Sequence, residues 1–286
     1  SIATGQTTTA DITAAPLTIN SELTSASKVY DGTTTAVITT SSLEGLIEGE
    51  DVAATGSGNY DNTNVGTDKT ITISYTLADG VTAGLASNYS IAPQISNNGI
   101  ITPRPLTITG ITASNKTYNG NTAATIDVNS VNFDGLVTID GVTDDVTVSA
   151  TGTFANKNVG TNKTVALVET TGGADVANYT ITNQGTTTAD ITAAPLTISG
   201  ITAINKTYDG NTTATTDVSR ATFAGLVTGD DVTVSATGTF DNKNVGDGKV
   251  VSLTETNAGA DVVNYSITNQ GTTTANITKK ALTIDS

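Results

Sequence analysis

Cysteine, methionine, tryptophan and histidine are absent from this chain of 286 residues. Without cysteine there are no disulfides, thiol nucleophiles or thiolate metal sites. Without histidine there is no imidazole ligand and no base for an ordinary hydrolase triad. Basic groups are scarce: 12 Lys+Arg against 27 Asp+Glu leave a net charge of -15, which repels nucleic acid and anionic membrane. The apolar runs are too short to span a bilayer, and no signal peptide is visible. Aromatic residues make up only 4%.

What is present is β-branched. The chain holds 61 Thr, 24 Val and 23 Ile against 13 Leu, and such stiff side chains fit a pleated sheet and crowd a helix. Leu, Ile, Val and Phe together number 64, or 22%, just above the level at which disorder becomes the default. A folded chain of this composition needs alternation to place so few apolar residues on one face.

The sequence repeats. Tyr30-Asp31-Gly32 returns as Tyr118-Asn119-Gly120 and Tyr208-Asp209-Gly210. Asn64-Val65-Gly66 returns at Asn158-Val159-Gly160 and Asn244-Val245-Gly246, and Asn88-Tyr89 at Asn178-Tyr179 and Asn264-Tyr265. The spacings run from 86 to 94 residues. A Pro-Leu-Thr-Ile phrase at Pro16, Pro105 and Pro195 marks the start of each unit. The division expected is residues 1–15 as the last strand of a preceding repeat, then repeats at 16–104, 105–194 and 195–280. Residues 281–286 would open a following one, so the chain reads as a piece of a longer array.

Within repeats the strand signals are regular. Val232, Val234 and Ala236 alternate with Thr233, Ser235 and Thr237, and Ile71, Ile73, Tyr75 and Leu77 alternate in the first repeat, each pattern putting apolar groups on one face. Turn chemistry such as Asp209-Gly210 and Asp241-Asn242-Lys243-Asn244 separates the runs. About seven short strands per ~90-residue unit predict an all-β fold, a tandem array of antiparallel β-sandwich domains of immunoglobulin-like type. Links between units are short, and Thr102-Pro103-Arg104-Pro105 carries two prolines that fix φ and restrict their neighbours. Consecutive units are therefore expected to form an extended, semi-rigid rod.

Lys-x-Tyr-Asp/Asn-Gly, then Asn-Val-Gly, Asn-Tyr-Ser/Thr-Ile and a closing Ile-Thr-x-x-x-Leu-Thr-Ile, resembles the YDG-type repeats of filamentous-haemagglutinin-type bacterial surface proteins. The neighbouring bacterial immunoglobulin-like repeats look similar. The resemblance covers essentially the whole chain and departs from the motif at Asn119, where Asp is expected. It implies an exported protein at the bacterial cell surface, in which such repeats serve as stalk or spacer units of adhesins or biofilm-matrix components. Its partners would be neighbouring repeats of the same chain, with host or matrix glycan or protein engaged through other domains.

The recurring residues read first as structure. Tyr30, Tyr118 and Tyr208 are expected to be core tyrosines anchoring a turn beside a φ > 0 glycine (Gly32, Gly120, Gly210), with ligand stacking as the alternative. Asp31, Asn119 and Asp209 supply the turn. The pairs at Asn88-Tyr89, Asn178-Tyr179 and Asn264-Tyr265 read likewise, the tyrosine filling the corner-hydroxyl role of sandwich folds. Acidic pairs Glu50-Asp51, Asp144-Asp145 and Asp230-Asp231 are expected to be solvated loops. The competing expectation is a calcium ion at such inter-domain carboxylates, although no Asp-x-Asp-x-Asp-Gly loop occurs. Lys28, Lys116 and Lys206 read as surface lysines. An isopeptide bond to the aligned asparagines would need a carboxylate aligned at a convincing position in all three repeats, and none stands at one. Glu169 and Glu255 align with each other but with Tyr75 in the first repeat, so a paired-carboxylate glycosidase is not expected. Two functions follow as expectations: a non-catalytic, cofactor-free spacer of a surface adhesin, or repeats that themselves bind glycan or self-associate through Thr-rich strand faces.

Overall fold

The computed structural model describes residues 5, 8–19, 27–39 and 42–283. Of the flanking segments expected at 1–15 and 281–286, residues 1–4, 6–7 and 284–286 lie outside the described residues. The fold is all-β, and among the described residues the only helices are three single 3-10 turns, Ala86–Asn88, Val176–Asn178 and Val262–Asn264. Alternation decides the strands. In Gly66–Asp79, Ile71 and Ile73 are buried while Thr72 and Ser74, which alternate with them, are exposed, as a pleat with a period of two requires.

Every repeat builds a three-stranded and a five-stranded sheet. In the third repeat the small sheet runs Thr222–Ala224, Ala194–Ser199, Tyr265–Thr268. The large sheet runs Lys206–Thr207, Thr272–Thr278, Gly246–Ala258, Thr233–Phe240, Thr213–Ala214. These sheets are mixed, where purely antiparallel ones were expected. Ala194–Ser199 pairs in parallel with Tyr265–Thr268, and Lys206–Thr207 in parallel with Thr272–Thr278. Parallel neighbours need a long crossover, and most of the repeat lies between each pair and provides it. The glycine of each Asn-Val-Gly phrase opens the longest strand of its repeat and is followed by a register shift, Gly66/Lys69, Gly160/Lys163 and Gly246/Lys249, a bulge that bends the strand at its start.

The compact units of the chain are not its sequence repeats. One unit comprises Ser1–Thr109, Asn132–Val148 and Thr171–Asn183; the other comprises Gly110–Val131, Ser149–Thr170 and Gln184–Ser286. Repeat 2 thus gives its small sheet to the first unit and most of its large sheet to the second. In the first unit, Tyr30, Tyr60, Ile71, Ile73 and Ile101 of repeat 1 form one apolar cluster with Leu106, Val137, Val146 and Tyr179 of repeat 2. In the second, Tyr118, Phe154, Val165 and Ile191 of repeat 2 cluster with Leu196, Val232 and Tyr265 of repeat 3.

Chain connectivity explains this sharing. Strand Gln94–Thr102 of one large sheet and Arg104–Thr109 of the next small sheet are separated by Pro103 alone, and Thr186–Thr192 and Ala194–Ser199 by Ala193 alone. A one-residue step leaves the two sheets no choice but to be neighbours, and their facing apolar sides close on each other. Residues 8–14 and 279–283, the counterparts of these steps, carry no strand before Ala15 or after Thr278.

Candidate functional site

The recurring residues converge where the large sheet of one repeat meets the small sheet of the next. The tyrosine of each Tyr-Asp/Asn-Gly turn is held by its backbone: Tyr30 N donates to Thr102 O at 2.9 Å, Tyr118 N to Thr192 O at 2.8 Å and Tyr208 N to Thr278 O at 2.9 Å. After it, Asp31 Oδ1 accepts from Thr33 N at 2.9 Å, Asn119 Oδ1 from Asn121 N at 3.3 Å and Asp209 Oδ1 from Asn211 N at 3.1 Å. Both side chains serve because the turn needs only an oxygen acceptor. The glycine is required twice over. Gly120 has φ +79°, and a Cβ there would lie 2.7 Å from Val227 Cγ1.

Lysines expected at the surface are instead built into this turn. Lys206 Nζ donates to Asp209 Oδ1, Asn211 O and Thr213 O at 2.9, 2.9 and 3.0 Å, and lies 5.5 Å from the Phe240 ring centre. Lys28 sits over Tyr60 and Lys116 over Phe154, each at 5.4 Å, as cation–π pairs. Burial pushes the Lys116 ammonium below its usual range.

Across the first contact, Tyr30 donates its hydroxyl to Asp144 Oδ2 at 2.9 Å and Tyr179 donates to the same oxygen at 2.5 Å. Their rings meet edge to face with centres 5.5 Å apart. The Tyr179 hydroxyl also accepts from Val137 N at 3.0 Å, a bond to backbone 42 residues earlier rather than to the nearby backbone of a tyrosine corner. The second contact repeats the first: Tyr118 and Tyr265 donate to Asp230 Oδ2 at 2.7 and 2.5 Å, and Val227 N donates to the Tyr265 hydroxyl at 3.0 Å. It adds a cation, for Lys157 Nζ lies 2.9 Å from Asp230 Oδ1 and 3.0 Å from Asp261 Oδ1.

The asparagine before each late tyrosine completes the contact. Asn178 Oδ1 accepts from Val65 N, and Asn264 Oδ1 from Val159 N, both at 3.0 Å. Both asparagines are buried, and each ties its own small sheet to the Asn-Val-Gly corner of the repeat before.

These bonds set the electrostatics. Burial first, then the hydrogen bond to the carboxylate, pushes Tyr179 and Tyr265 up to about 12 and raises Tyr30 and Tyr118 in the same direction. At Asp230 burial pulls upward, but the Tyr265, Lys157 and Tyr118 donors outweigh it and hold the carboxyl below its ordinary value. Lys157 is raised by hydrogen bonds to Asp230 and Asp261.

Asp144 and Asp230, expected in solvated loops, are therefore junction acids; the Asp230 side chain is only 3% exposed. Their partner acids do serve exposed turns. Asp51 accepts from Val81 N and Ala83 N at 2.9 and 3.0 Å, Asp145 from Ala174 N at 3.0 Å and Asp231 from Ala260 N at 3.1 Å. Backbone donation from Ala83 foremost lowers Asp51 to about 2. Among the described residues no group of three or more acidic residues is gathered to hold a metal. Glu169 and Glu255 close the turns at Gly185 and Gly271, each accepting that glycine's N–H at 2.8 Å. Lys157 carries no sign of its role in sequence. The one signal for the junction acids is an acidic residue at the same offset in every repeat, two residues before the next apolar strand position.

The pattern of buried tyrosines, turn asparagines and shared cores defines a chain of interlocked β repeats. The YDG domain family matches residues 13–96, 102–189 and 192–283, and the chain belongs to that family, with three copies in tandem. No curated protein matches it. Among solved structures, Drosophila N-cadherin EC1-4 is similar at 9% identity over 93% of this chain and 75% of that one, with a TM-score of 0.29.

Proposed function

We propose that these repeats are the structural stalk of a large bacterial surface or secreted adhesin, a stiff spacer that holds a distal binding region away from the cell and performs no catalysis. The observation that carries the reading is the shared core: the large sheets of repeats 1 and 2 are each completed by the small sheet of the next repeat, so adjoining repeats cannot hinge without opening buried apolar surface. A linker-joined string of independent domains would bend at every joint. Here the joint itself is bonded, with two tyrosines on one carboxylate and an asparagine on a backbone N–H. Eight of the twelve aromatic rings are buried and four half-buried, which offers little stacking surface for a sugar and favours the spacer over a glycan-binding role. In this reading the repeats form an extended rod of immunoglobulin-like sandwiches at the bacterial surface. Small-angle scattering tests it: a rod-like distance distribution is expected, and a compact or freely jointed particle contradicts it.

A further inference from the structure

We propose that the two junctions are oxidative modification sites: a one-electron oxidant joins Tyr30 to Tyr179, and Tyr118 to Tyr265, through a carbon–carbon bond between the rings. The inference goes beyond the stalk reading and stands without it, because it rests on the paired tyrosines and on the side chains the protein lacks.

The reacting pairs are already assembled. In each junction the two rings meet edge to face with centres 5.5 Å apart. Both hydroxyls bond one carboxylate oxygen: Tyr30 and Tyr179 reach Asp144 Oδ2 at 2.9 and 2.5 Å, and Tyr118 and Tyr265 reach Asp230 Oδ2 at 2.7 and 2.5 Å. Two bonds meeting at one atom draw the hydroxyl ends of the rings together. The ring carbons beside those hydroxyls are the positions at which tyrosyl radicals couple.

The same carboxylate gives the proton a destination. A phenol that loses an electron becomes strongly acidic, and a base already in hydrogen-bond reach takes its proton as the electron leaves. The oxidant need not touch the buried rings, since an electron crosses a short thickness of protein.

Nothing of comparable reactivity competes for the oxidant. Cysteine and methionine, on which oxidation ordinarily falls, are absent, as are tryptophan and histidine. Tyrosine is left as the most easily oxidised side chain, and four of the eight tyrosines stand in these two pairs.

The step balances. Each tyrosine of a pair gives one electron to one equivalent of oxidant and its hydroxyl proton to the aspartate, which passes it to solvent. The two radicals couple, and each coupled ring carbon then gives up its hydrogen, restoring the aromatic ring and the hydroxyl. In sum two C–H bonds are lost, one C–C bond forms, and two protons and two electrons leave. The new bond ties one repeat to the next across their shared core. It closes a long loop and restricts the unfolded chain as a disulfide does, in a protein with no cysteine to make one.

Photo-oxidation of the dilute purified chain tests this, with tris(bipyridyl)ruthenium as the oxidant and persulfate as the terminal electron acceptor. The ruthenium cation is drawn to the net charge of -15. The intact mass is expected to fall by two hydrogens per junction. Tryptic mapping should join the Tyr30 peptide to that of Tyr179 and the Tyr118 peptide to that of Tyr265. The cross-linked chain should melt several degrees above the untreated one. Tyr179→Phe, checked for folding by its melt, should lose the first cross-link and keep the second; Tyr30→Phe is the alternative should that variant not fold. Tyr208 is half-buried where the four paired tyrosines are buried, so reaction governed by exposure alone would fall on it first and join separate chains. Cross-links mainly through Tyr208 or between chains overturn the proposal. So do oxidation without either expected pair, and a cross-linked chain that melts no higher than before.

Discussion

Asp230 shows how a residue's role is set by what faces it. Its side chain is nearly inaccessible and receives two tyrosine hydroxyls and a lysine ammonium. Removing the charge leaves donors buried without a full acceptor, so Asp230→Asn is expected to cost about 1–3 kcal/mol and to lower the melting temperature. Asp231→Asn, next to it but exposed, should cost much less. A thermal melt of both variants checks the ranking, and equal losses would count against a buried junction acid. The same pairs dictate pH dependence. Tyr179 and Tyr265 are raised to about 12 when folded, against about 10 in an unfolded chain. A raised tyrosine contributes stability that is complete below about pH 10 and is lost as pH climbs towards about 12. Asp230 is lowered, so its contribution is present above the unfolded carboxylate value of about 3.9 and falls away under acid. Melting followed with tyrosinate absorbance should show tyrosine ionisation and unfolding moving together on the alkaline side. Tyrosines that ionise near pH 10 without loss of structure would refute the assignment.

At the scale of strands, intrinsic preference and packing can be set against each other. Gly152 lies within the strand Thr147–Phe154, where β-propensity alone would favour almost any other residue. A Cβ there would come within 2.4 Å of Ile126 Cδ1 and 2.8 Å of Val165 Cγ1. Gly152→Val is therefore expected to destabilise by about 1–3 kcal/mol through overpacking, measurable by urea denaturation. Gly160→Ala, whose Cβ would meet only the Lys163 side chain at 3.4 Å, should be close to neutral. Strands themselves were legible because Val, Ile and Thr alternate over long enough runs. Strand direction was not. Nothing in the alternation of Tyr265 and Ile267 announces that they run parallel to Ala194 and Leu196, because periodicity describes one strand and direction belongs to two.

For the whole molecule, the shared cores predict that a sequence repeat is a poor unit to excise. Residues 105–194 alone would expose Leu106 and Tyr179 without Ile71 and Ile73, and Phe154 and Val165 without Leu196 and Tyr265. That fragment is expected to melt well below the full chain and with little cooperativity. Residues 27–194 keep the whole first junction and should retain a cooperative transition. Circular dichroism of both fragments decides the matter: an excised repeat as stable as its parent would remove the case for a shared core. The sequence alone settled the β character, through its β-branched residues, and the threefold repeat that places the chain among YDG domains. It also marked Tyr30, Asp144 and Asn178 by their recurrence. Only the tertiary structure decided that Tyr30 meets an acid 114 residues later and that cores cross the repeat boundaries. An apolar strand face states that it must be covered and not by what; the single residues Pro103 and Ala193 between successive sheets assign each face its partner.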